Sequence, residues 1–448
     1  MTIAGIVLAA GKGTRMKSSL SKPLHKVAGV ALVGHAVRIL RIAGVEKITV
    51  VVSSDLAESE ELKEALLPNV SVAIQTEQLG TADALKAAKS SVTSADSIVV
   101  APADTILVTD EIVRHMIELH SESGSLGTVL GAMVDDASGL GRIKLDPSGQ
   151  PVSIVEEHEA DDDLVQSKLI NTAWYCFDNS WIWNALESVE PAADTGEIYL
   201  PRVIETAAGE NRSRVIVSED SETGMGVNDR IQLSKVEAAI RRRTNEAHMS
   251  SGVSFQDPSN TYVDIDVEIG PDTQIGAGTH IGTRSVIGAG VIIGPNTQIV
   301  SSTIGDGATV DGARIFDSVV GAGASVGPNS LLRGGAELKP GSKVGNLAEI
   351  KNSVVGSGSH VSHFSYVGDA TLGENVNIGA GTITCNYDGK DKHPTVIEDE
   401  ALIGSSTMLV APVTVGKAAR TGAGSVVRND VVAGDTVAGV PAQSIKSK

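Results

Sequence analysis

The chain has 448 residues, more than one ordinary hydrophobic core accommodates, which predicts two or three domains. Acidic residues (55) outnumber basic ones (36), and the net charge of −19 argues against a general nucleic-acid or anionic-membrane surface. Two cysteines exclude a disulfide framework and are compatible with a reducing compartment. The apolar residues 3–10 are too few for a signal peptide, and no segment is long enough to span a bilayer, so we expect a cytoplasmic protein.

The first half of the chain alternates apolar runs with amphipathic helical patterns. We predict strands at residues 3–8, 48–52, 70–74 and 98–100, and helices at residues 32–40, 82–88 and 111–120. This alternation predicts an α/β domain over residues 1–227, with a mostly parallel sheet covered on both faces. In such a sheet, ligands bind beyond the carboxyl ends of the strands. Residues 228–250 contain no glycine or proline and suit a linker helix.

A glycine-containing turn directly follows the first predicted strand. Residues 8–16 read LAAGKGTRM, a pattern that brings backbone N–H groups against phosphate oxygens while Lys12 and Arg15 supply positive charge. The segment is not a Walker A loop, because GxxxxGK[ST] is absent. It is not the dinucleotide-binding fingerprint either, because Met16 stands at the third glycine position of GxGxxG.

The second half of the chain carries an apolar residue at every sixth position. The first run is Ile269, Ile275, Ile281, Ile287, Ile293 and Ile299, and the later runs are Val320, Val326, Leu332, Leu338, Val344 and Ile350, then Ile397, Ile403, Leu409 and Val415. An α-helix with 3.6 residues per turn cannot use this period. The pattern is typical of a parallel β-helix, which we predict over residues 251–448. Glycine follows five of the first six isoleucines, and we expect each to adopt a corner conformation that a Cβ would resist.

One insertion interrupts the repeat. Residues 384–394 read TCNYDGKDKHP and cannot continue the apolar pattern. We therefore expect the whole segment to leave the coil as a loop, where functional residues are often found.

The glycine loop resembles the LAAGxGTRM signature of the sugar-1-phosphate nucleotidylyltransferases, with Lys22 at the family's following lysine. The resemblance implies a Rossmann-like domain in which a sugar phosphate attacks the α-phosphorus of a nucleoside triphosphate and releases pyrophosphate. Catalysis then depends on positioning and on charge neutralisation by cations and Mg²⁺. The resemblance assigns catalysis to Arg15 and Lys22, and substrate binding to Leu8, Ala9, Ala10, Gly11 and Lys22.

Later segments resemble the uridylyltransferase branch of that family. Residues 75–82, QTEQLGTA, resemble its uracil-recognition segment, and residues 226–230, GVNDR, resemble its GVN(N/D)R motif. The resemblance implies that Asp104 and Asn228 bind Mg²⁺. Ala103 departs from the family pattern, which has glycine beside the metal aspartate. The positions that match uridine and N-acetyl sugar contacts are Gln75, Gly80, Thr81, Gly141, Glu156, Asn171 and Asn228.

Residues 363–369, HFSYVGD, and 379–389, GAGTITCNYDG, resemble the acetyltransferase half of the bifunctional N-acetylglucosamine-1-phosphate uridylyltransferase / glucosamine-1-phosphate N-acetyltransferase family. With them, the resemblance covers essentially the whole chain and implies a left-handed β-helix. His363 would be the general base for the glucosamine amine, and Asn386 would polarise the amine or the carbonyl. Sugar contacts are matched by Arg333, Lys351, Tyr366 and Asn377, and acetyl-CoA contacts by Ala380, Asn386, Tyr387, Ser405 and Ala423.

The carboxyl-terminal end departs from the family pattern. Gly439 stands before Val440-Pro441, where the family often has an arginine that contacts the coenzyme A phosphate, and the tail to Lys448 is short. This leaves Lys417, Arg420 and Arg428 as alternative contacts for acetyl-CoA.

The resemblance implies two reactions. The β-helix domain would acetylate glucosamine-1-phosphate from acetyl-CoA, and the amino-terminal domain would couple N-acetylglucosamine-1-phosphate to UTP, yielding UDP-N-acetylglucosamine, a precursor of the bacterial cell wall. It also implies Mg²⁺ as cofactor and a homotrimer. From the net charge and the lack of a long apolar segment, we expect no nucleic-acid partner and no membrane insertion. The alternative is a nucleotidylyltransferase for another sugar-1-phosphate, such as glucose-1-phosphate with dTTP, whose β-helix serves only trimerisation or regulation.

Overall fold

The computed structural model describes residues 2–192 and 196–445 of the chain. It divides into two compact units, Met1–Ile240 and Arg241–Lys448, and the helix Arg230–Ser250 carries the chain from the first to the second. Within the described ranges, no helix has the length and apolar character that a membrane span requires.

The first unit is built on a mixed sheet that is mostly parallel. One strand, Leu169–Asp178, runs antiparallel to both of its neighbours. A hairpin of Arg142–Leu145 and Pro151–Val155 joins the sheet through the pairing of Arg142 with Ile170. In spatial order, the main strands are Ser213–Ser218, Gly127–Met133, Leu169–Asp178, Ser97–Pro102, Ile3–Leu8, Lys47–Ser53 and Val70–Gln75. A separate two-stranded pair is Lys26–Val27 and Val30–Ala31.

Helices cover both faces of this sheet, because successive strand residues point to opposite sides. Ile6 packs into the core beneath the helices Thr81–Ala87 and Val203–Gly209, whereas Val7 packs beneath Leu32–Ile42 and Asp110–Glu122. The remaining α-helices are Ser54–Ala57, Glu60–Ala65, Asp162–Val165 and Ile182–Glu187. The 3₁₀ turns are Thr14–Met16, Lys22–Leu24, Lys89–Ser91, Glu157–Glu159, Leu200–Arg202, Ser221–Gly224 and, in the second unit, Pro258–Asn260. The α/β class predicted for this region is confirmed.

The second unit is a parallel β-helix whose coils each add a strand to three sheets, here called the first, second and third faces. Residues one coil apart pair in register, as Ile275 does with Ile293. The first face contains Ser254–Phe255, Gln274–Ile275, Ile292–Ile293, Thr309–Val310, Ser325–Val326, Lys343–Asn346, His360–His363, Asn377–Ile378, Leu402–Ile403, Arg420–Thr421, Thr436–Gly439 and Ala442–Ser444. The second face contains Tyr262–Val263, His280–Ile281, Gln298–Val300, Arg314–Phe316, Leu331–Arg333, Glu349–Lys351, Tyr366–Gly368, Ile383–Cys385, Met408–Val410 and Val426–Val427. The third face contains Glu268–Ile269, Val286–Ile287, Thr303–Ile304, Val319–Val320, Glu337–Leu338, Val354–Val355, Ala370–Leu372, Thr395–Ile397 and Val413–Val415.

The six-residue period is confirmed as the core of this β-helix. Ile275, Ile281, Ile287, Ile293 and Ile299 are all buried in one continuous cluster. The later repeat residues lie in the same cluster, while Ile269 packs half-buried against it near its start.

The reason expected for the repeat glycines is wrong. Positive φ angles fall two residues after the first of them, at Asp272 (φ 62°), and not at the glycines themselves. A Cβ on Gly270 would instead lie 2.6 Å from the backbone nitrogen of Ala289, and one on Gly276 would lie 2.5 Å from that of Pro295. These glycines are therefore required because successive coils stack closely at these positions, with no room for a side chain.

The insertion begins later than expected. Thr384 does not leave the coil but occupies a buried position in the strand Ile383–Cys385, in register with Leu409. Its hydroxyl accepts a hydrogen bond from the N–H of Gly368 at 2.8 Å and lies 3.0 Å from that residue's carbonyl oxygen. A polar side chain is tolerated in the apolar column because the neighbouring coil satisfies it.

Replacing this hydroxyl should destabilise the β-helix. Thr384→Val keeps the shape but leaves the buried N–H of Gly368 without an acceptor, at a cost of about 1–3 kcal/mol. Denaturant unfolding should show a lower midpoint than for the wild type. The matched control is Thr371→Val, at an exposed position of the third face, which should leave the midpoint unchanged. Equal midpoints for the two variants would contradict a structural role for the Thr384 hydroxyl.

Candidate active sites

A cavity of about 740 Å³ opens in the first unit at the carboxyl ends of the strands Ile3–Leu8 and Ser97–Pro102. Residues predicted to bind substrate, to act in catalysis or to bind metal converge on it. Those lining it are Leu8, Ala9, Ala10, Gly11, Arg15, Lys22, Gln75, Gly80, Thr81, Asp104, Glu156, Asn171 and Asn228. Gly141 lies just behind the lining, where its carbonyl accepts a hydrogen bond from the N–H of Asn171 at 2.8 Å.

The glycine loop packs tightly against the segment that carries Lys22. Gly13 adopts a left-handed conformation (φ 58°), and a Cβ there would lie only 2.6 Å from the Cβ of Lys22. Glycine is therefore needed here both for its backbone angle and for close approach. This contact places Arg15, Lys12 and Lys22 around one end of the cavity.

The Lys22 ammonium joins the two predicted metal ligands. It donates a hydrogen bond to the carboxylate of Asp104 and another, at 2.9 Å, to Oδ1 of Asn228. Lys22 lies 82 residues from the first and 206 residues from the second in sequence, so the fold alone brings these oxygens onto one cation.

This pair of oxygen donors fits Mg²⁺. The ion prefers oxygen ligands and is usually held by one or two protein groups together with water and substrate phosphates. Among the described residues, no cluster of three or more histidine, cysteine, aspartate or glutamate side chains forms a complete metal cage. Asp104 and Asn228 therefore suit an ion shared with a nucleotide. Ala103, which departs from the family glycine, is buried beside them and also lines the cavity.

The segment predicted to recognise uracil is held by its own side chains. The Gln75 amide donates to the carbonyl of Gly80 at 3.1 Å and to the carboxylate of Asp83 at 2.7 Å. The Gln78 amide donates to the carbonyl of Ala10 at 2.5 Å, which ties this segment to the glycine loop. Gln78 belongs to the motif QTEQLGTA, but the motif indicates no role for it, and only the folded structure shows this contact.

Gly80 should not tolerate a side chain. Its φ is 115°, and a Cβ would lie 2.6 Å from the carbonyl oxygen of Ile198. We expect Gly80→Ala to destabilise the first unit by more than about 1 kcal/mol and to raise the KM for the nucleotide, because the segment between Gln75 and Thr81 must shift. Thermal unfolding and pyrophosphate-release kinetics measure the two effects. Gly209→Ala is the control, since a Cβ there meets no neighbouring atom. Wild-type stability and KM for Gly80→Ala would refute this account.

The other end of the cavity is formed by Glu156, Asn171 and Tyr175. The Asn171 amide donates to the Tyr175 hydroxyl at 2.7 Å, and its oxygen accepts from the N–H of Ala173 at 3.0 Å. Burial raises the pKa of the Glu156 carboxyl and of the Tyr175 phenol. Tyr175 was not predicted as a site residue, because none of the sequence motifs includes it.

A second polar cluster lies on the second face of the β-helix, toward its edge with the third face. Arg333 and Lys351 pair in register on adjacent coils. The Arg333 guanidinium donates to Glu349 through Nε at 2.9 Å and through Nη2 at 2.7 Å. Tyr366 extends across Gly368, where a Cβ would collide with its hydroxyl. The absence of a side chain at residue 368 thus makes room for the tyrosine in this cluster.

Asn386 closes the cluster from the inserted segment. It is buried, and its amide donates to the Asp369 carboxylate and, at 3.4 Å, to the Tyr366 hydroxyl. Burial acts to raise the pKa of Asp369, but hydrogen bonds from Asn352 and Asn386, together with the nearby lysine ammonium groups, outweigh it, so the pKa lies below its usual value. Asp369 therefore stays ionised and holds Asn386 in place.

Lys392 adds a cation that was not predicted. Its ammonium lies beside that of Lys351, and repulsion from Lys392 and from Arg333 lowers the pKa of Lys351. Three cations in one place, partly balanced by Asp369, form a site suited to a dianionic phosphate. The position of Lys392 depends on how the insertion folds back, so the sequence offered no direct signal for it.

The remaining predicted residues lie elsewhere in the second unit. The carbonyls of His363, Ala380 and Ser405 accept hydrogen bonds from Gly381, Ser406 and Gly424 on the following coils, at 3.2, 2.7 and 2.8 Å. His363, Ala380, Ser405 and Ala423 therefore form a column at the corner between the first and second faces. Asn377 lies exposed on the first face, and Tyr387 lies exposed on the insertion. One chain thus presents the proposed base and the cation cluster at different edges of the second face.

The end of the β-helix is closed by a hairpin. Gly439, with φ 98°, ends the strand Thr436–Gly439 and pairs with Ala442. Lys417, a proposed alternative contact for acetyl-CoA, forms an exposed ion pair with Glu400 at 3.3 Å. The final residues of the tail, 446–448, lie outside the described residues.

Comparison with known proteins covers both units. The MobA-like NTP transferase domain matches residues 5–155. The bacterial transferase hexapeptide (six repeats) matches residues 266–301, and the hexapeptide repeat of succinyl-transferase matches residues 394–428. These matches agree with a nucleotidyltransferase domain followed by a left-handed β-helix of the acyltransferase type.

Several relatives that match this chain over nearly its whole length share one name with each other. The bifunctional protein GlmU of Exiguobacterium sibiricum is 45% identical over 429 residues, which is 95% of each chain. Those of Syntrophomonas wolfei and Heliobacterium modesticaldum are 40% and 44% identical, over 96% of this chain and over 96% and 93% of theirs. The chain belongs to the GlmU family of bifunctional transferases.

Proposed function

We propose that the chain makes UDP-N-acetylglucosamine in two steps. It acetylates glucosamine-1-phosphate from acetyl-CoA, and it then transfers UMP from UTP to the resulting N-acetylglucosamine-1-phosphate. The observation that carries the proposal is that one polypeptide holds two separate polar sites. In the first unit, Lys22 joins Asp104 and Asn228 in a large cavity. In the second, cations and the buried Asn386 cluster on the β-helix.

In uridylyl transfer, an oxygen of the sugar phosphate attacks the α-phosphorus of UTP and pyrophosphate leaves. Arg15, Lys22 and the N–H groups of the glycine loop would neutralise charge on the triphosphate, while Gln75 and the backbone near Gly80 would read the base. Mg²⁺, held by Asp104 and Asn228, would supply further charge neutralisation when bound. The sugar end would be formed by residues around Glu156 and Asn171, which line the same cavity.

In acetyl transfer, the glucosamine nitrogen attacks the thioester carbon, its proton passes to His363, and the C–S bond breaks to release coenzyme A. The proton on His363 can then be given to the departing thiolate. Arg333, Lys351 and Lys392 would bind the sugar phosphate, and Asn386 would orient the reacting groups. Cys385 has no nucleophilic part in this scheme, because burial raises the pKa of its thiol and so disfavours the thiolate.

A homotrimer would complete the acetyltransferase site. One chain places the His363 column and the Arg333 cluster at different edges of the second face. We propose that a neighbouring copy brings the missing edge, so that each site is shared between chains. We also place the enzyme in the cytoplasm, where UTP and acetyl-CoA are available, and assign its product to the synthesis of peptidoglycan.

A coupled assay tests the proposal. Purified protein is given glucosamine-1-phosphate, acetyl-CoA, UTP and Mg²⁺, while coenzyme A thiol, pyrophosphate and UDP-N-acetylglucosamine are measured separately. We expect all three products, and pyrophosphate release that depends on prior acetylation. Greater pyrophosphate release with glucose-1-phosphate and dTTP, or no thiol release at all, would favour the alternative in which the β-helix only assembles or regulates the enzyme.

A further inference from the structure

The insertion after Cys385 is a closed hairpin and not an open loop. Tyr387 and Lys392 face each other in an antiparallel bridge, and the N–H of His393 donates to the carbonyl of Asn386 at 2.8 Å. The Tyr387 hydroxyl donates to the carbonyl of Gly389 at 2.7 Å. The two ends of the hairpin are therefore tied together.

One side-chain pair joins the two arms of this hairpin. The Asp388 carboxylate contacts Nε2 of His393 at 2.7 Å through one oxygen. Its other oxygen accepts the N–H groups of Lys390 and Asp391, both at 2.8 Å. Asp388 thus uses both oxygens, one to hold the tip of the hairpin and one to hold the returning arm.

The hairpin carries two functional groups into the cation cluster. Asn386 begins it and reaches Asp369 and Tyr366, whereas Lys392 lies on the returning arm and reaches Lys351. Lys392 is adjacent to His393 in sequence, so the position of the lysine backbone depends on the arm that Asp388 holds. The backbone bridge to Tyr387 and the attraction of the Asp369 carboxylate also hold Lys392 against its repulsion by Lys351, and the Asp388–His393 contact adds to them.

We propose that Asp388 and His393 are a positioning pair that holds Lys392 in place for the phosphate of the amino-sugar substrate. The proposal rests on the acetyl transfer proposed above. Neither residue has to touch the substrate. Their contribution is to keep a third cation beside Arg333 and Lys351 although like charges disfavour that arrangement.

The test compares variants in the thiol-release assay at fixed pH and ionic strength. His393→Ala should raise the KM for glucosamine-1-phosphate about two- to fivefold, the range expected for one partly exposed polar contact. His393→Gln should restore most of the affinity, because its amide nitrogen can donate from nearly the same place as Nε2. In a Lys392→Ala background, the His393→Ala change should have less than about a twofold effect, since the group it positions is gone.

Two controls keep the result interpretable. Glu337→Gln breaks a comparably exposed ion pair with Lys339 on the third face and should leave all kinetic constants unchanged. Uridylyl transfer, performed by the other unit, should be the same for every variant, which excludes general misfolding. An unchanged KM for His393→Ala, or an equal effect of that change with and without Lys392, would overturn the proposal.

Calorimetric titration with glucosamine-1-phosphate gives a readout that does not require turnover. Weaker binding by His393→Ala than by the wild type supports the pair even if acetyl transfer itself is slow. If both proteins bind glucosamine-1-phosphate tightly and equally, the positioning role of Asp388 and His393 is refuted, but the proposed acetyltransferase function is not. Absence of binding and of thiol release in the wild type would refute the proposed acetyltransferase function as well as the pair.

Discussion

His363→Ala should reduce acetyl transfer by about 100- to 10,000-fold, the usual contribution of a positioned general base. The glucosamine amine would then have no side chain to accept its proton as the new C–N bond forms. Thiol release from acetyl-CoA with glucosamine-1-phosphate measures the loss. Uridylyl transfer from UTP to N-acetylglucosamine-1-phosphate should stay at the wild-type rate, because His363 lies in the second unit and the proposed nucleotide site lies in the first.

The matched control for this prediction is His280→Ala. His280 lies exposed on the second face of the same β-helix, far along the chain from the site residues, and packs edge-on against Tyr262. Its loss should leave acetyl transfer unchanged. If His363→Ala and His280→Ala released thiol at the same rate, His363 would have no part in proton transfer and another base would be required.

Lys22→Met should reduce uridylyl transfer by about 100- to 1,000-fold, as expected when a preorganised charge at the reacting phosphates is removed. The loss should appear mainly in kcat, since the cavity retains its other contacts with the nucleotide and the sugar. Pyrophosphate release at saturating substrates measures it. Lys26→Met removes an equally charged but exposed side chain nearby and should be neutral. Thiol release by the second unit should be unaffected in both variants.

The same variant tests the metal assignment without relying on catalysis. In the absence of nucleotide, the Lys22 ammonium competes for the oxygens of Asp104 and Asn228. Lys22→Met should therefore bind Mn²⁺, used as a probe for Mg²⁺, more tightly than the wild type in a titration followed by electron paramagnetic resonance. Adding Asp104→Asn should remove that gain. Mn²⁺ binding that is indifferent to both changes would show that these two residues are not the metal ligands.

Much of the candidate nucleotide site could be predicted because its motifs are local. The glycine loop and the segments beginning at Gln75 and Gly226 each occupy a short stretch, and each borders the cavity. What could not be predicted is how they meet. Lys22 bridges oxygens far from it in sequence, and the Gln78 amide reaches the carbonyl of Ala10 only in the folded sheet.

The residues proposed for acetyl transfer were harder to place. Their identities followed from motifs, but a period of six residues does not say which residues share a corner and which share a face. In the structure, His363 and Arg333 lie at different edges of the second face. Lys392 joins the cation cluster because the inserted hairpin folds back. The prediction that Thr384 leaves the coil was wrong, because a hydroxyl can remain in an apolar column when the neighbouring coil supplies its hydrogen bonds.

The sequence by itself determined the β-helix and the α/β unit, because periodicity depends only on which side chains must be buried together. It also located the short motifs, since each needs only a few adjacent residues. Only the tertiary structure decided why the repeat glycines are needed, which oxygens face the Lys22 ammonium, and how Asp388 and His393 close the hairpin. Those features depend on distances between segments remote in the chain, which are set by coil stacking and strand order and are not encoded in any one local pattern.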